Sequence, residues 1–95
     1  MSAYVIVFVE SVNNPAGLGE YRRIGVPTLK QYNAKALVRN GKFETLEGAA
    51  PQSVVTLEFE SMDAARAWYH SPEYQEALKH RLAAASCRVV LVEGA

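Results

Sequence analysis

Two stretches of this chain are apolar without alternation: Tyr4 to Val9 within AYVIVFVE, and Val89 to Val92 within RVVLVE. An uninterrupted run of β-branched and aromatic side chains is the pattern of a strand buried on both faces, and it restricts the fold more than any other feature here. Such strands belong in a sheet that is covered front and back. The segments between them must supply at least one of those covers.

Asn13-Asn14-Pro15 supplies a helix start, with an amide to cap free N–H groups and a proline where the missing donor costs nothing. Leu18, Tyr21, Gly25, Leu29 and Tyr32 follow at spacings of three and four, one apolar stripe with Glu20, Arg22, Arg23 and Lys30 mostly off it. Pro27 predicts a kink or break of this helix near Gly25. Ala34 to Arg39 has strand character and runs into Asn40-Gly41, a pair suited to the two positive φ angles of a type I′ turn, with Phe43 to Leu46 as the short return arm. Gly48, Pro51 and Gln52 mark a loop before SVVTLEFE, Ser53 to Glu60, where Val55, Leu57 and Phe59 alternate with polar residues. Ser61 is placed to cap a helix reaching about His70, and Ser71-Pro72 starts another whose stripe is Tyr74, Ala77, Leu78, Leu82 and Ala85. Arg88 to Glu93 is the last strand.

Strand, helix, two strands with a hairpin extension, helix, strand is the ferredoxin-like α+β order βαββαβ: a four-stranded antiparallel sheet with helices on one face. Helices of this size cover one face only, so the other would leave an apolar patch larger than soluble monomers tolerate. A homodimer packed sheet to sheet is the expected solution. With 95 residues the chain is expected to form one domain over its whole length.

Ten basic and ten acidic side chains give a net charge of zero, which argues against nucleic acid or an anionic membrane surface as partners. The longest apolar run is far below the roughly 18 residues of a membrane span and lacks the flanks of a secretory signal, so a cytoplasmic location is expected. Cys87 is the single cysteine and allows no internal disulfide.

The start SAYVIVFVES, the middle LVRNGKFETLEG and the end LEFESMDAARAWYHSPEYQEALKHRLAAASCRVVLVEG resemble the family known as domain of unknown function 1330. The segment Ala67-Trp68-Tyr69 to Ser71-Pro72-Glu73-Tyr74, followed by Arg81, is its most specific part. The resemblance implies a ferredoxin-like fold of the dimeric α+β barrel superfamily. Relatives in that superfamily include cofactor-independent monooxygenases, muconolactone-type isomerases and haem-handling enzymes, while this family is named for having no established reaction. Ala16-Gly17-Leu18-Gly19 departs from the family's acidic and aromatic helix start, Asn33-Ala34 from its glycine pair, and His70 from the short acid or amide expected there.

His70 and His80 lack the three- or four-residue spacing that would set two imidazoles around a metal, so no metal site and no cofactor are expected. His80 reads as solvated surface, and His70 as a helix-end cap or an acid–base group. Gly17 and Gly19 resemble part of a dinucleotide fingerprint, but Arg22 and the order of elements rule it out. Polar groups on otherwise buried elements are the better site candidates. Arg39 ends a strand, Glu58 alternates into one, and Arg81 stands between Leu78 and Leu82 on the apolar side of its helix; the alternative to a site role is a structural ion pair or, for the arginines, a snorkelling stem. Glu10 is a candidate partner for either arginine. Tyr21, Trp68 and Tyr74 read as core or as a ligand platform.

Three functions fit these residues. In the first, a cofactor-independent enzyme of isomerase or monooxygenase type takes a small organic acid or aromatic metabolite, with Arg39 fixing an anion, Glu58 or His70 moving a proton, and Tyr21, Trp68, Tyr74 and Arg81 in ligand contact. In the second, the same pocket belongs to a non-catalytic binding or stress-associated dimer. The third is a structural dimer acting through a protein partner.

Overall fold

The computed structural model describes residues Met1–Ala95. Strand β1 (Ala3–Val12) leads into helix α1 (Pro15–Gln31), then strands β2 (Lys35–Arg39) and β3 (Ser53–Phe59), helices α2 (Met62–Tyr69) and α3 (Pro72–Ala84), and strand β4 (Ala85–Glu93). The four strands form one antiparallel sheet in the order β2-β3-β1-β4, which is ferredoxin-like. No helix is long and apolar enough to cross a membrane.

The expected helix starts are all capped by side chains. Asn14 accepts from the Gly17 N–H at 3.2 Å, Ser61 from Ala64 at 3.0 Å and Ser71 from Tyr74 at 3.1 Å. Ser71 also donates to the Trp68 carbonyl, which locks the turn between α2 and α3.

Three local expectations are corrected. Helix α1 runs through Pro27 as one element. Pro27 and Arg23 both lie on its exposed face, so the carbonyl left without a donor four residues earlier meets water, while buried Thr28 bonds back to the Gly25 carbonyl at 2.6 Å. The hairpin extension does not form, and Phe43 to Leu46 is not a strand. Asn40 takes a positive φ of 56° but Gly41 does not, so the two positive φ angles of a type I′ turn are not met, and the Asn40 N–H bonds to the Val54 carbonyl of β3. A return arm would have buried nothing, since Phe43 and Leu46 are both exposed. On α3, Leu82 points to solvent and Arg81 takes its place in the buried stripe with Tyr74, Ala77, Leu78 and Ala84.

Register assigns the two faces of the sheet. Val5, Val7 and Val9 of β1 pair with Leu57, Val55 and Ser53 of β3 and with Leu91, Val89 and Cys87 of β4, and this set faces the helices. Alternation puts Tyr4, Ile6 and Phe8, with Val54, Thr56, Glu58, Arg88, Val90 and Val92, on the opposite face, which no helix covers. Val90 is 48% exposed there. Val9/Ser11 brackets a bulge that leaves Glu10 unpaired in the ladder, and Glu10 forms an ion pair with Arg88, not with Arg39 or Arg81.

The core on the helical side joins Val5, Leu57 and Phe59 of the sheet to Ala65, Trp68, Tyr74 and Leu78. Helix α2 packs on the sheet, whereas α1 packs chiefly against α3. Gly17 and Gly25 allow that approach: a Cβ on Gly17 would sit 2.9 Å from the Ala84 Cβ, and one on Gly25 3.4 Å from that of Ala77. Leaning on α3, helix α1 stands off the sheet and leaves a space beneath it.

Candidate functional site

That space is a cavity of about 300 Å³, floored by Val7, Val9, Val55 and Leu57 of the sheet and roofed by Leu18, Tyr21, Val26 and Leu29 of α1. Trp68, Tyr74 and Arg81 close its buried side, and Arg22, Arg39 and Asn40, all exposed, stand at its mouth. The volume is at the lower end of the range for small-molecule sites.

Trp68 is 2% exposed and anchors the inner wall. Its ring lies 5.1 Å from that of Phe59 and 4.0 Å from that of Tyr74, and its indole N–H donates to Thr28 Oγ1 at 2.9 Å. Thr28 thus satisfies a polar atom that would otherwise be buried without a partner. The hydroxyls of Tyr21 and Tyr74 share a hydrogen bond of 2.9 Å, with the rings edge to face.

Arg81 is 5% exposed, and its guanidinium carbon lies 5.6 Å from the Tyr21 ring centroid, a cation–π contact. The ion pairs of the chain are Arg23–Glu20, Arg66–Asp63, Lys79–Glu76 and Arg88–Glu10, so no carboxylate neutralises Arg81, Arg39 or Arg22. The Arg81 Nε is sealed from solvent with no hydrogen-bond partner. Burial works against its charge, but the neighbouring Tyr74 and Tyr21 outweigh that, and its pKa is raised, so it is a permanent cation. Burial, helped by Tyr21, holds the Tyr74 phenol well above the usual tyrosine range, which keeps it a neutral donor.

The residues singled out from sequence divide. Tyr21, Arg39, Trp68, Tyr74 and Arg81 line this one cavity. Glu58 does not: it lies on the uncovered sheet face, where the Tyr4 hydroxyl approaches it at 3.4 Å. His70 ends α2 and lines a separate cavity of about 180 Å³ with Val5, Arg66 and Tyr69. The grouping of Arg39, Glu58 and His70 around one substrate is therefore corrected. A strand's alternation sends Glu58 to the face opposite Leu57, and the turn into α3 carries His70 to the far side of Trp68's helix. Arg22 and Thr28 were not singled out. Thr28 stands seven residues after Tyr21, two turns along the same stripe, and that spacing was the available signal; nothing in the periodicity marks Arg22.

Among the 17 lining residues there are three arginines and no aspartate or glutamate. Two tyrosines, Ser53 and Asn40 are the other polar side chains, and the rest of the wall is apolar apart from the indole N–H already bonded to Thr28. No group of three or more His, Cys, Asp or Glu side chains converges anywhere in the chain. The cavity is suited to holding an apolar body with negative charge at one end.

The fold recurs in solved structures. A protein of unknown function from Rhodopseudomonas palustris is 24% identical and superimposes with a TM-score of 0.78 over 99% of this chain and 82% of its own. A dimeric ferredoxin-like protein of unknown function from Jannaschia sp. CCS1 is 17% identical, with a TM-score of 0.68 over 99% of this chain and 100% of its own. SnoaB, a cofactor-independent oxygenase from Streptomyces nogalater, is 16% identical, with a TM-score of 0.56 over 99% of this chain and 92% of its own. No curated protein matches the chain. The model of the family Domain of unknown function (DUF1330) matches residues 2–95, and the chain belongs to that family.

Proposed function

We propose that the protein is a homodimer joined through its uncovered sheet faces, in which each subunit's cavity takes a small organic acid or aromatic metabolite and transforms it without a bound cofactor. The convergence of Tyr21, Arg39, Trp68, Tyr74 and Arg81 on one enclosed, mostly apolar space carries this reading. Within it, Arg81 and the tyrosine pair supply the polar inner end of the cavity, and Arg39 orients the substrate at the mouth. The relationship in fold to an oxygenase that uses no cofactor, and to a dimeric protein of the same architecture, supports it.

A second reading is a binding protein without chemistry. It is favoured by the absence of any carboxylate, imidazole, thiol or amine in the cavity lining, the side chains that most often act as general acid or base. Turnover assays on lactones, quinols and keto acids, run beside thermal-shift assays on the same compounds, separate the two. Product formation that falls in Arg39→Ala while the variant remains folded supports the enzyme. Thermal shifts without product assign the protein to binding, and equal rates in Arg39→Ala remove the role given to that residue.

A further inference from the structure

The strongest unexplained feature of the molecule is a buried cation with nothing to neutralise it. Arg81 is 5% exposed, its Nε has no hydrogen-bond partner, and none of the chain's ion pairs includes it. A guanidinium taken out of water without a counter-charge loses its hydration with nothing to replace it. Nature's common solutions are a structural carboxylate or exposure to solvent, and this chain uses neither. Its sequence does not lack acids: ten are present, and none lines the cavity. Arg22 and Arg39 at the mouth add positive charge along the path inward.

We propose that the missing counter-charge is the ligand's own carboxylate, bound at the inner end of the cavity by Arg81 together with the Tyr21 and Tyr74 hydroxyls. This rests on the small-molecule reading of the cavity and decides within it between an acid and a neutral aromatic compound. The guanidinium offers donors in the planar fork that matches a carboxylate. The tyrosine pair has one hydroxyl proton free of their mutual bond, available to a second carboxylate oxygen. The apolar body of the acid then lies against Val7, Val55, Leu57 and Leu29, with Trp68 behind it. The ligand class is a monocarboxylate bearing one aromatic ring or a short branched hydrocarbon.

Trp68 is the only tryptophan of the chain and lines the cavity, so its fluorescence reports occupancy directly. The probes are phenylacetate, 3-phenylpropionate and 2-naphthoate, each compared with its own primary amide, titrated at pH 7.5 into the wild type, Arg81→Met and Tyr21→Phe. The expected result is that at least one acid binds ~10-fold or more tightly than its amide, and that Arg81→Met removes this preference while retaining amide binding. Tyr21→Phe, which leaves the buried cation in place, should reduce the acid's advantage a few-fold and serves as the independent variant if Arg81→Met does not fold. Equal binding of acid and amide by the wild type overturns the carboxylate site and leaves the small-molecule reading standing. An acid preference that survives Arg81→Met moves the anion to the mouth and overturns the assignment to Arg81. Binding of neither acids nor amides overturns both this site and the reading on which it rests.

Discussion

The phenolic oxygens of Tyr21 and Tyr74 lie 2.9 Å apart, a hydrogen bond between α1 and α3 at the inner end of the cavity. It joins residues 53 positions apart in sequence, and the Arg81 guanidinium stands over the Tyr21 ring. Because α1 makes little contact with the sheet, this bond is one of the few polar ties that hold the roof of the cavity in place. Tyr74→Phe removes it without changing the volume of the wall. The expected loss is about 0.5–1.5 kcal/mol, read from urea denaturation, and Tyr21→Phe in the same background should add almost nothing further. Full additivity of the two would mean that the hydroxyls act independently.

The same tyrosine makes stability depend on alkali. Tyr74 has its pKa raised in the folded state, chiefly by burial, while in the unfolded chain it ionises near the ordinary value of about 10. Above that pH the unfolded state loses a proton that the folded state keeps, so stability is intact below about pH 10 and falls as pH rises beyond it, by up to about 1.4 kcal/mol per pH unit. Tyr74→Phe should flatten this decline. Parallel slopes for the variant and the wild type between pH 10 and 11 would trace the alkaline loss to other groups.

Thr28 is expected to matter through one oxygen. It accepts from the Trp68 indole at 2.9 Å and donates to the Gly25 carbonyl at 2.6 Å. Thr28→Val keeps the shape and leaves a buried N–H unpaired, at a cost of about 1–3 kcal/mol, whereas Thr28→Ser keeps the hydroxyl and should cost less. Denaturation followed by Trp68 fluorescence ranks the two. The opposite order would show that the methyl group, not the hydrogen bond, is what the site requires.

Gly17→Ala tests the close approach of α1 and α3. Alanine favours a helix over glycine by about 1 kcal/mol, but the new Cβ would stand 2.9 Å from that of Ala84, an overlap costing about 1–3 kcal/mol. Net destabilisation is expected, with recovery when Ala84→Gly is added. A stabilised single variant would show that the two helices have room to separate.

The uncovered sheet face predicts the oligomeric state. Ile6 and Val90 are paired neighbours on it, and Val90 is already 48% exposed in the single subunit, so Val90→Glu leaves the subunit's own packing alone. Sedimentation of the wild type is expected at about twice the 10.4 kDa chain mass, and that of Val90→Glu at the chain mass itself. A folded wild type that runs as a 10.4 kDa species at micromolar concentration would overturn the dimer.

Most of the fold was legible because its signals are local or strictly periodic. Asn14, Ser61 and Ser71 mark helix starts through bonds to residues three positions away, and the apolar runs around Ile6 and Val90 mark strands β1 and β4. The local rules failed where a neighbour in space made an alternative cheaper. Pro27 does not break α1 because its face of the helix is wet, and Asn40-Gly41 does not turn a hairpin because the Val54 carbonyl holds the Asn40 N–H and Gly41 does not take the positive φ.

The site divides in the same way. The unusual residues, including an arginine among the leucines of α3 and aromatic residues around Ser71-Pro72, could be picked out before any fold was known, because residue type and spacing along an element are properties of the chain alone. Packing in three dimensions was needed to show that Arg81 displaces Leu82 from the interior, that Arg39 joins it while Glu58 and His70 do not, and that Gly17 and Gly25 let α1 lean on α3 and open a cavity. Those outcomes depend on strand register and on how closely two helices approach. Both are set by contacts between residues far apart in the chain, whose energies no local pattern records.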